Sequence, residues 1–167
     1  MKRSRRGFLA WFTDSELRPP GARREDEFLR LCIQCQRCTE SCPYRAIEPA
    51  GWTFGAGMGT PVIRPERTPC YLCMICPPLC PTGALEPVAK EDVDMGEAVV
   101  DEDLCYAFQG ILCRACVDAC PFQGKALRQN YQLEPIVDRK FCVGCGLCVP
   151  PCPAKPVAIR VVRSELL

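Results

Sequence analysis

Residues 142–153 read Cys-Val-Gly-Cys-Gly-Leu-Cys-Val-Pro-Pro-Cys-Pro, which places four cysteines at the spacing C-x2-C-x2-C-x3-C and ends on proline. The same spacing occurs twice upstream in the 167-residue chain, and once more with seven residues between its first two cysteines. The sixteen cysteines thus form motifs 1 to 4, which are Cys32, Cys35, Cys38 and Cys42; Cys70, Cys73, Cys76 and Cys80; Cys105, Cys113, Cys116 and Cys120; and Cys142, Cys145, Cys148 and Cys152.

This spacing is typical of loops that hold [4Fe–4S] clusters, because three closely spaced thiolates can reach three irons on one face of a cubane. Two rival explanations fit less well. Disulfide frameworks do not repeat one spacing four times. Structural zinc sites join two separated pairs of cysteine or histidine, and this chain contains no histidine. We therefore predict four [4Fe–4S] clusters, with all sixteen cysteines as the cofactor-binding and metal-binding residues.

The fourth cysteine of each motif lies three residues beyond the third and precedes proline. In two-cluster ferredoxins this cysteine binds the cluster of the neighbouring motif, so that motifs work in pairs. Two pairings remain open from the sequence. Motif 1 can pair with motif 2 and motif 3 with motif 4, or the pairs can be nested.

The predicted fold is α+β, with bacterial-ferredoxin-like repeats that form two double-cluster units of short strands, single helical turns and long loops. After each Cys-Pro pair comes a small residue and then an aliphatic one, which we interpret as a helical turn covering a cluster. Stretches rich in β-branched residues predict strands at 61–63, 98–101 and 135–138. Residues 25–31 predict a helix ahead of motif 1, and the glycine-rich residues 50–60 predict an exposed loop.

We divide the chain into an N-terminal arm at residues 1–30, a four-cluster body at 31–160 and a C-terminal tail at 161–167. The Ser-Arg-Arg-Gly-Phe-Leu run at residues 4–9 matches the twin-arginine export motif. A working signal needs an apolar region of about 7–15 residues before a cleavage site. The apolar run here, residues 7–12, is shorter and soon meets charged residues. We interpret the motif as degenerate and expect a cytoplasmic protein, with periplasmic placement by twin-arginine export as the alternative.

Three further features resemble the NapG/MauM-type polyferredoxins. They are the Leu-Arg-Pro-Pro-Gly-Ala run at residues 17–22, Phe28-Leu29 ahead of motif 1, and the aromatic-Gln-Gly spacer of motif 3 at Phe108-Gln109-Gly110. The resemblance covers residues 17 to 167 and implies a four-cluster electron-transfer subunit. In its size and degenerate signal the chain also looks like the small iron–sulfur subunit of tungsten- or molybdenum-containing aldehyde oxidoreductase complexes.

No nucleophile–base constellation and no phosphate-binding glycine loop is evident, so we predict a non-catalytic subunit. Its expected role is to relay electrons between a catalytic oxidoreductase subunit, with tungsten or molybdenum aldehyde oxidoreductase as the candidate, and an acceptor subunit or carrier. Further copies of the chain are a second candidate partner; neither nucleic-acid binding nor a transmembrane segment is expected. The main alternative is an exported NapG-like accessory ferredoxin of a membrane quinol-oxidising complex. A cluster scaffold or redox sensor, and a free ferredoxin, also remain open.

Overall fold

The computed structural model describes residues 16–163, whose regular elements are all short. The α-helical segments are α1 (Glu25–Leu31), α2 (Arg37–Glu40) and α3 (Ala115–Asp118). The strands are β1 (Ile47–Pro49), β2 (Pro61–Ile63), β3 (Glu97–Val100), β4 (Leu127–Gln129), β5 (Pro135–Val137) and β6 (Ile159–Val162). Three 3-10 turns are Trp52–Gly57, Pro77–Leu79 and Lys90–Asp92.

The strands pair into three two-stranded antiparallel sheets, β1 with β2, β3 with β6, and β4 with β5. The β1–β2 pair connects motif 1 to motif 2, and the β4–β5 pair connects motif 3 to motif 4 in the same way. The β3–β6 pair joins the chain before motif 3 to the chain after motif 4. An isolated bridge between Ala22 and Leu85 makes the corresponding connection around motifs 1 and 2. The two halves of the chain therefore follow one plan.

Local sequence patterns predicted four of these elements. The helix at residues 25–31 and the strand at 61–63 are confirmed with the predicted bounds. The strands predicted at 98–101 and 135–138 are confirmed and end at Val100 and Val137. In the predicted loop, the Trp52 side chain is 83% exposed.

The predicted helical turns after each Cys-Pro pair are wrong. The helical turns lie inside the motifs instead, at α2, α3 and Pro77–Leu79, directly before a fourth cysteine. After Pro43 and Pro121 the chain makes a turn and then extends into β1 and β4. These segments are extended because β1 pairs with β2 and β4 pairs with β5. The small and aliphatic residues that suggested the turns are nevertheless all buried: Ala46, Ile47, Ala84, Leu85, Ala126, Leu127, Ala158 and Ile159.

The segment ahead of motif 1 packs into the core of the body. Leu17 and Phe28 have no exposed surface, and the N–H of Leu17 donates to the carbonyl oxygen of Ile63 at 2.8 Å. Arg18 is 6% exposed; its guanidinium lies over the ring of Phe28 at 4.4 Å and forms an ion pair with Glu25. Arg18 also donates hydrogen bonds to the Thr60 hydroxyl and the carbonyl oxygen of Pro61, so it ties α1 to the body.

The opposite end of the body is also continuous with its flanking segment, since Val161 and Val162 are buried within β6. The predicted divisions after residues 30 and 160 therefore do not coincide with boundaries in the packing. The twin-arginine run at 4–9 lies outside the described residues. Among residues 16–163, none of the helices has both the length and the apolar character required to span a bilayer.

Candidate iron–sulfur sites

The structure gathers the cysteines into four sets of four, and each set takes its fourth member from a neighbouring motif. Three of the sets line cavities, and the electrostatic interaction of Cys70 with Cys73 and Cys42 identifies the remaining set. We name them quartet A (Cys32, Cys35, Cys38 and Cys80), quartet B (Cys42, Cys70, Cys73 and Cys76), quartet C (Cys105, Cys113, Cys116 and Cys152) and quartet D (Cys120, Cys142, Cys145 and Cys148).

This arrangement selects one of the two pairings that the sequence left open. Motif 1 exchanges its fourth cysteine with motif 2, which brings Cys80 to quartet A and Cys42 to quartet B. Motif 3 exchanges with motif 4, which brings Cys152 to quartet C and Cys120 to quartet D. The nested pairing is not observed.

The quartets also have an order in space. Quartets A and B share motifs 1 and 2, and quartets C and D share motifs 3 and 4. The two halves meet where the N–H of Cys70 in quartet B donates to the carbonyl oxygen of Cys145 in quartet D at 2.9 Å. The order is therefore A, B, D, C, with quartets A and C at the ends. Cys35 of quartet A is the only one of the sixteen cysteines that is classed as exposed.

The buried thiols fit a cationic cofactor. Burial, together with neighbouring cysteines, raises the pKa of Cys76 and of Cys145 to about 12. The same causes raise the pKa of Cys116 to about 11, and burial raises that of Cys148 well above its usual range. Metal ligation requires the thiolate, so such groups need positive charge beside them to ionise at neutral pH. The core of an iron–sulfur cluster supplies that charge.

Backbone amides point at several of the sulfurs. The N–H groups of Ala46, Leu72 and Leu85 donate at 3.4 Å to the sulfurs of Cys42, Cys70 and Cys80 respectively. The N–H of Ala98 donates at 3.4 Å to Cys142. Hydrogen bonds to cluster sulfurs are among the factors that set reduction potentials.

Cys80 has an additional partner that the sequence did not reveal. The hydroxyl of Thr82 lies 3.6 Å from its sulfur. Burial raises the pKa of Cys80, but the hydrogen bonds from Leu85 and Thr82 outweigh burial, and the pKa lies below its ordinary value. A threonine two residues after a Cys-Pro cysteine is a weak signal in sequence, because nothing local shows that its hydroxyl faces the sulfur.

The cysteine loops curl through left-handed backbone conformations beside the second cysteine of a motif. In motif 4 these positions are Gly144 (φ +71°) and Gly146 (φ +78°). Gln34 and Gln36 occupy them in motif 1 with φ of 56° and 62°, and Leu72 and Met74 in motif 2 with φ of 52° and 58°. Left-handed backbone costs about 1–2 kcal/mol per non-glycine residue. The ligand loops of motifs 1 and 2 therefore store conformational energy that ligation must offset.

No group of three or more Cys, Asp or Glu side chains within residues 16–163 forms a site for a single metal ion. A [4Fe–4S] cluster has a different requirement, because each cysteine binds a different iron and the four sulfurs surround the cofactor. The residues present therefore fit cubane clusters: each quartet offers four thiols, and several of the sulfurs receive N–H groups.

Two segments of the chain, residues 31–84 and 97–153, match two family models, each described as 4Fe-4S dicluster domain. These segments contain motifs 1 and 2 and motifs 3 and 4, so the matched halves are the same halves that exchange cysteines. The class of the protein follows: it is an iron–sulfur protein built from two dicluster ferredoxin-type domains, in agreement with four [4Fe–4S] clusters.

Relatives extend the similarity to nearly the whole chain. The methylamine utilization ferredoxin-type protein MauM of Paracoccus denitrificans is 38% identical over 162 residues, which cover 90% of this chain and 72% of the relative. The ferredoxin-type protein NapG of Escherichia coli is 34% identical over 165 residues, covering 90% and 71%. The ferredoxin-type protein NapF of Escherichia coli is 30% identical over 167 residues, covering 97% of both chains.

The chain belongs to the MauM/NapG family of ferredoxin-type proteins. The resemblance predicted from the run at residues 17–22 and the spacer of motif 3 is thereby confirmed. The protein is a ferredoxin-type iron–sulfur protein of electron transfer.

Proposed function

We propose that this protein is the electron-transfer subunit of an oxidoreductase complex and that all sixteen cysteines bind four [4Fe–4S] clusters, one in each quartet. The observation that carries the proposal is the exchange of Cys80 with Cys42 and of Cys152 with Cys120. That exchange makes each half a two-cluster unit, as in bacterial ferredoxins. When bound, the clusters supply one-electron redox chemistry.

The order of the quartets supports a relay with two ends. Quartets B and D lie in the middle, where Cys70, Cys76, Cys145 and Cys148 are all buried. At the ends, large apolar side chains beside the cysteines reach the surface: Ile33 is 64% exposed near quartet A and Leu112 is 75% exposed near quartet C. A catalytic subunit would deliver electrons at one end, and an acceptor subunit or carrier would take them at the other.

The partner we propose is a catalytic oxidoreductase subunit, with tungsten- or molybdenum-containing aldehyde oxidoreductase as the candidate. Further copies of this chain are a second proposed partner. In this proposal the protein does not bind nucleic acid and is not itself catalytic. In this proposal the protein acts in the cytoplasm. Residues 1–30 are retained as the N-terminal arm, whose described part packs into the cluster-bearing body at 31–160, and residues 161–167 are the C-terminal tail.

A second candidate function has its own support. The chain aligns with NapG over 90% of its length, and a twin-arginine run stands at residues 4–9. These two observations favour an exported accessory ferredoxin of a membrane quinol-oxidising complex about as well as the relatives favour the first candidate. The two candidates differ in cellular compartment and in the protein that accompanies the ferredoxin.

Anaerobic isolation from native cells tests the proposal and separates the candidates. Iron and sulfide should each be present at about sixteen per chain. A cytoplasmic fraction containing a co-isolated catalytic subunit would support the first candidate, and a periplasmic fraction with a membrane quinol-oxidising partner the second. A content near eight irons, or zinc in place of iron, would contradict the four-cluster assignment.

A further inference from the structure

Two tyrosine rings stack beside quartet B. The ring centroids of Tyr44 and Tyr71 are 4.2 Å apart, and the ring planes differ by 17°. Tyr44 is two residues after Cys42, and Tyr71 directly follows Cys70. The stack therefore joins the two backbone segments that bring these cysteines of quartet B together from different motifs.

The position of this stack is unusual because it is at the surface. Tyr44 is 45% exposed and Tyr71 is 47% exposed, so burial in the core does not hold the rings in place. The stack is the aromatic contact that the two rings make. Aromatic pairs in such stacked arrangements contribute beyond the apolar area that they bury.

Quartet D, the other inner quartet, has no tyrosine pair at the positions that correspond to Tyr44 and Tyr71. In quartet D the residues at the corresponding positions are Phe122, two after Cys120, and Val143, directly after Cys142. Val143 is 3% exposed and its carbonyl oxygen accepts the N–H of Met95 at 3.2 Å, so the core itself covers this side of quartet D. Quartet B lacks that cover, since Tyr71 stands at the surface where Val143 is buried.

We propose that Tyr44 and Tyr71 form a clamp that holds Cys42 against motif 2 and keeps quartet B closed to solvent. The inference rests on the proposed function, in which quartet B binds an inner cluster of the relay. An inner cluster exchanges electrons with its neighbours in the chain, so access from the side serves no transfer step. The clamp would slow the loss of iron from this position.

The size of the effect follows from the stacking interaction. The pair interaction of two aromatic rings corresponds to about a two- to tenfold change in an opening equilibrium. When opening and closing are fast, release tracks the population of the open form. Removing either ring should therefore accelerate iron release from quartet B by about two- to tenfold.

The experiment uses the four-cluster protein under anaerobic conditions and follows iron transfer to the chelator bathophenanthroline disulfonate. Tyr44→Ala and Tyr71→Ala should each release about a quarter of the iron faster than the wild type. The affected spectral component should be the one that is missing from Cys42→Ala. Hydrogen exchange at residues 42–46 and 70–72 should increase in the same variants. Tyr131→Ala is the matched control, because Tyr131 is 103% exposed and lies outside the stack.

Two further variants separate stacking from other roles. The double variant Tyr44→Ala/Tyr71→Ala should be no faster than either single variant, since one substitution already removes the pair. Tyr44→Phe/Tyr71→Phe should behave as the wild type, because the rings remain. Additive effects in the double variant, fast release from the Phe variant, or wild-type release from both Ala variants would each overturn the clamp. The proposed function would fail differently, through an iron content below four clusters in the wild type.

Discussion

The hydroxyl of Thr82 offers a direct test of how the protein tunes a terminal site. It lies 3.6 Å from the sulfur of Cys80, which also receives the N–H of Leu85 at 3.4 Å. Since a cluster-bound thiolate has no proton to give, the threonine must be the donor when the cluster is present. Thr82→Val keeps the shape of the side chain and removes only this donor.

The expected magnitude follows from the charge on the acceptor. Hydrogen bonds to charged groups contribute about 1.5–3 kcal/mol, and a hydroxyl 3.6 Å from a sulfur belongs below that range, at about 1 kcal/mol. Reduction adds negative charge to quartet A and strengthens the bond, so its loss disfavours the reduced form. Because a tenfold change in a one-electron equilibrium is about 59 mV, the reduction potential should fall by about 20–40 mV.

The assay is an anaerobic redox titration monitored by electron paramagnetic resonance. One of the four potentials should shift downward in Thr82→Val while the other three stay in place. Thr53→Val is the control, because it makes the same chemical change at an exposed residue. An unchanged or raised potential would refute the reasoning, and an equal shift at all four sites would show a general disturbance of the protein.

Three further predictions follow from the quartets, the core and the N-terminal run. Cys80→Ala should remove the cluster of quartet A, and Cys42→Ala should remove that of quartet B, as measured by iron content and electron paramagnetic resonance. Loss confined to the cluster of each residue's own motif would contradict the exchange of fourth cysteines. Phe28→Ala should destabilise the body by about 3–5 kcal/mol in anaerobic urea unfolding, because Phe28 has no exposed surface, whereas Phe141→Ala, at a side chain 42% exposed, should cost much less. Mass spectrometry of the native polypeptide should find residues from positions 1–10, and a mature start near Leu17 would show that the twin-arginine run works as a signal.

Local patterns were sufficient to predict the cofactor and three of the six strands in the described part of the chain. Cluster ligands sit close together in the chain, so their spacing is visible without the fold. The strands at 61–63 and 135–137 were equally visible because β-branched residues mark them. The helical turns were misplaced because the pattern after Cys-Pro marks burial, and buried residues such as Ile47 lie here in strands.

What the sequence did not reveal depends on contacts between distant residues. The pairing of motifs rests on Cys80 meeting motif 1 across some forty residues, a choice that spacing alone leaves open. Arg18 resembles an ordinary surface charge in sequence, yet it is 6% exposed and lies over Phe28. The tyrosine clamp could not be predicted either, because nothing in the sequence shows that Tyr44 and Tyr71 contact each other.

The exchange of fourth cysteines also constrains how the protein can be made. A chain emerging from the ribosome presents Cys32, Cys35 and Cys38 long before Cys80, and Cys42 long before motif 2. Quartet B cannot be completed before Cys76 is available, nor quartet A before Cys80, so both sites of the first half depend on motif 2. The second half repeats this dependence, with Cys105 waiting for Cys152. A chain cut between the motifs of one half would therefore leave two quartets incomplete rather than one.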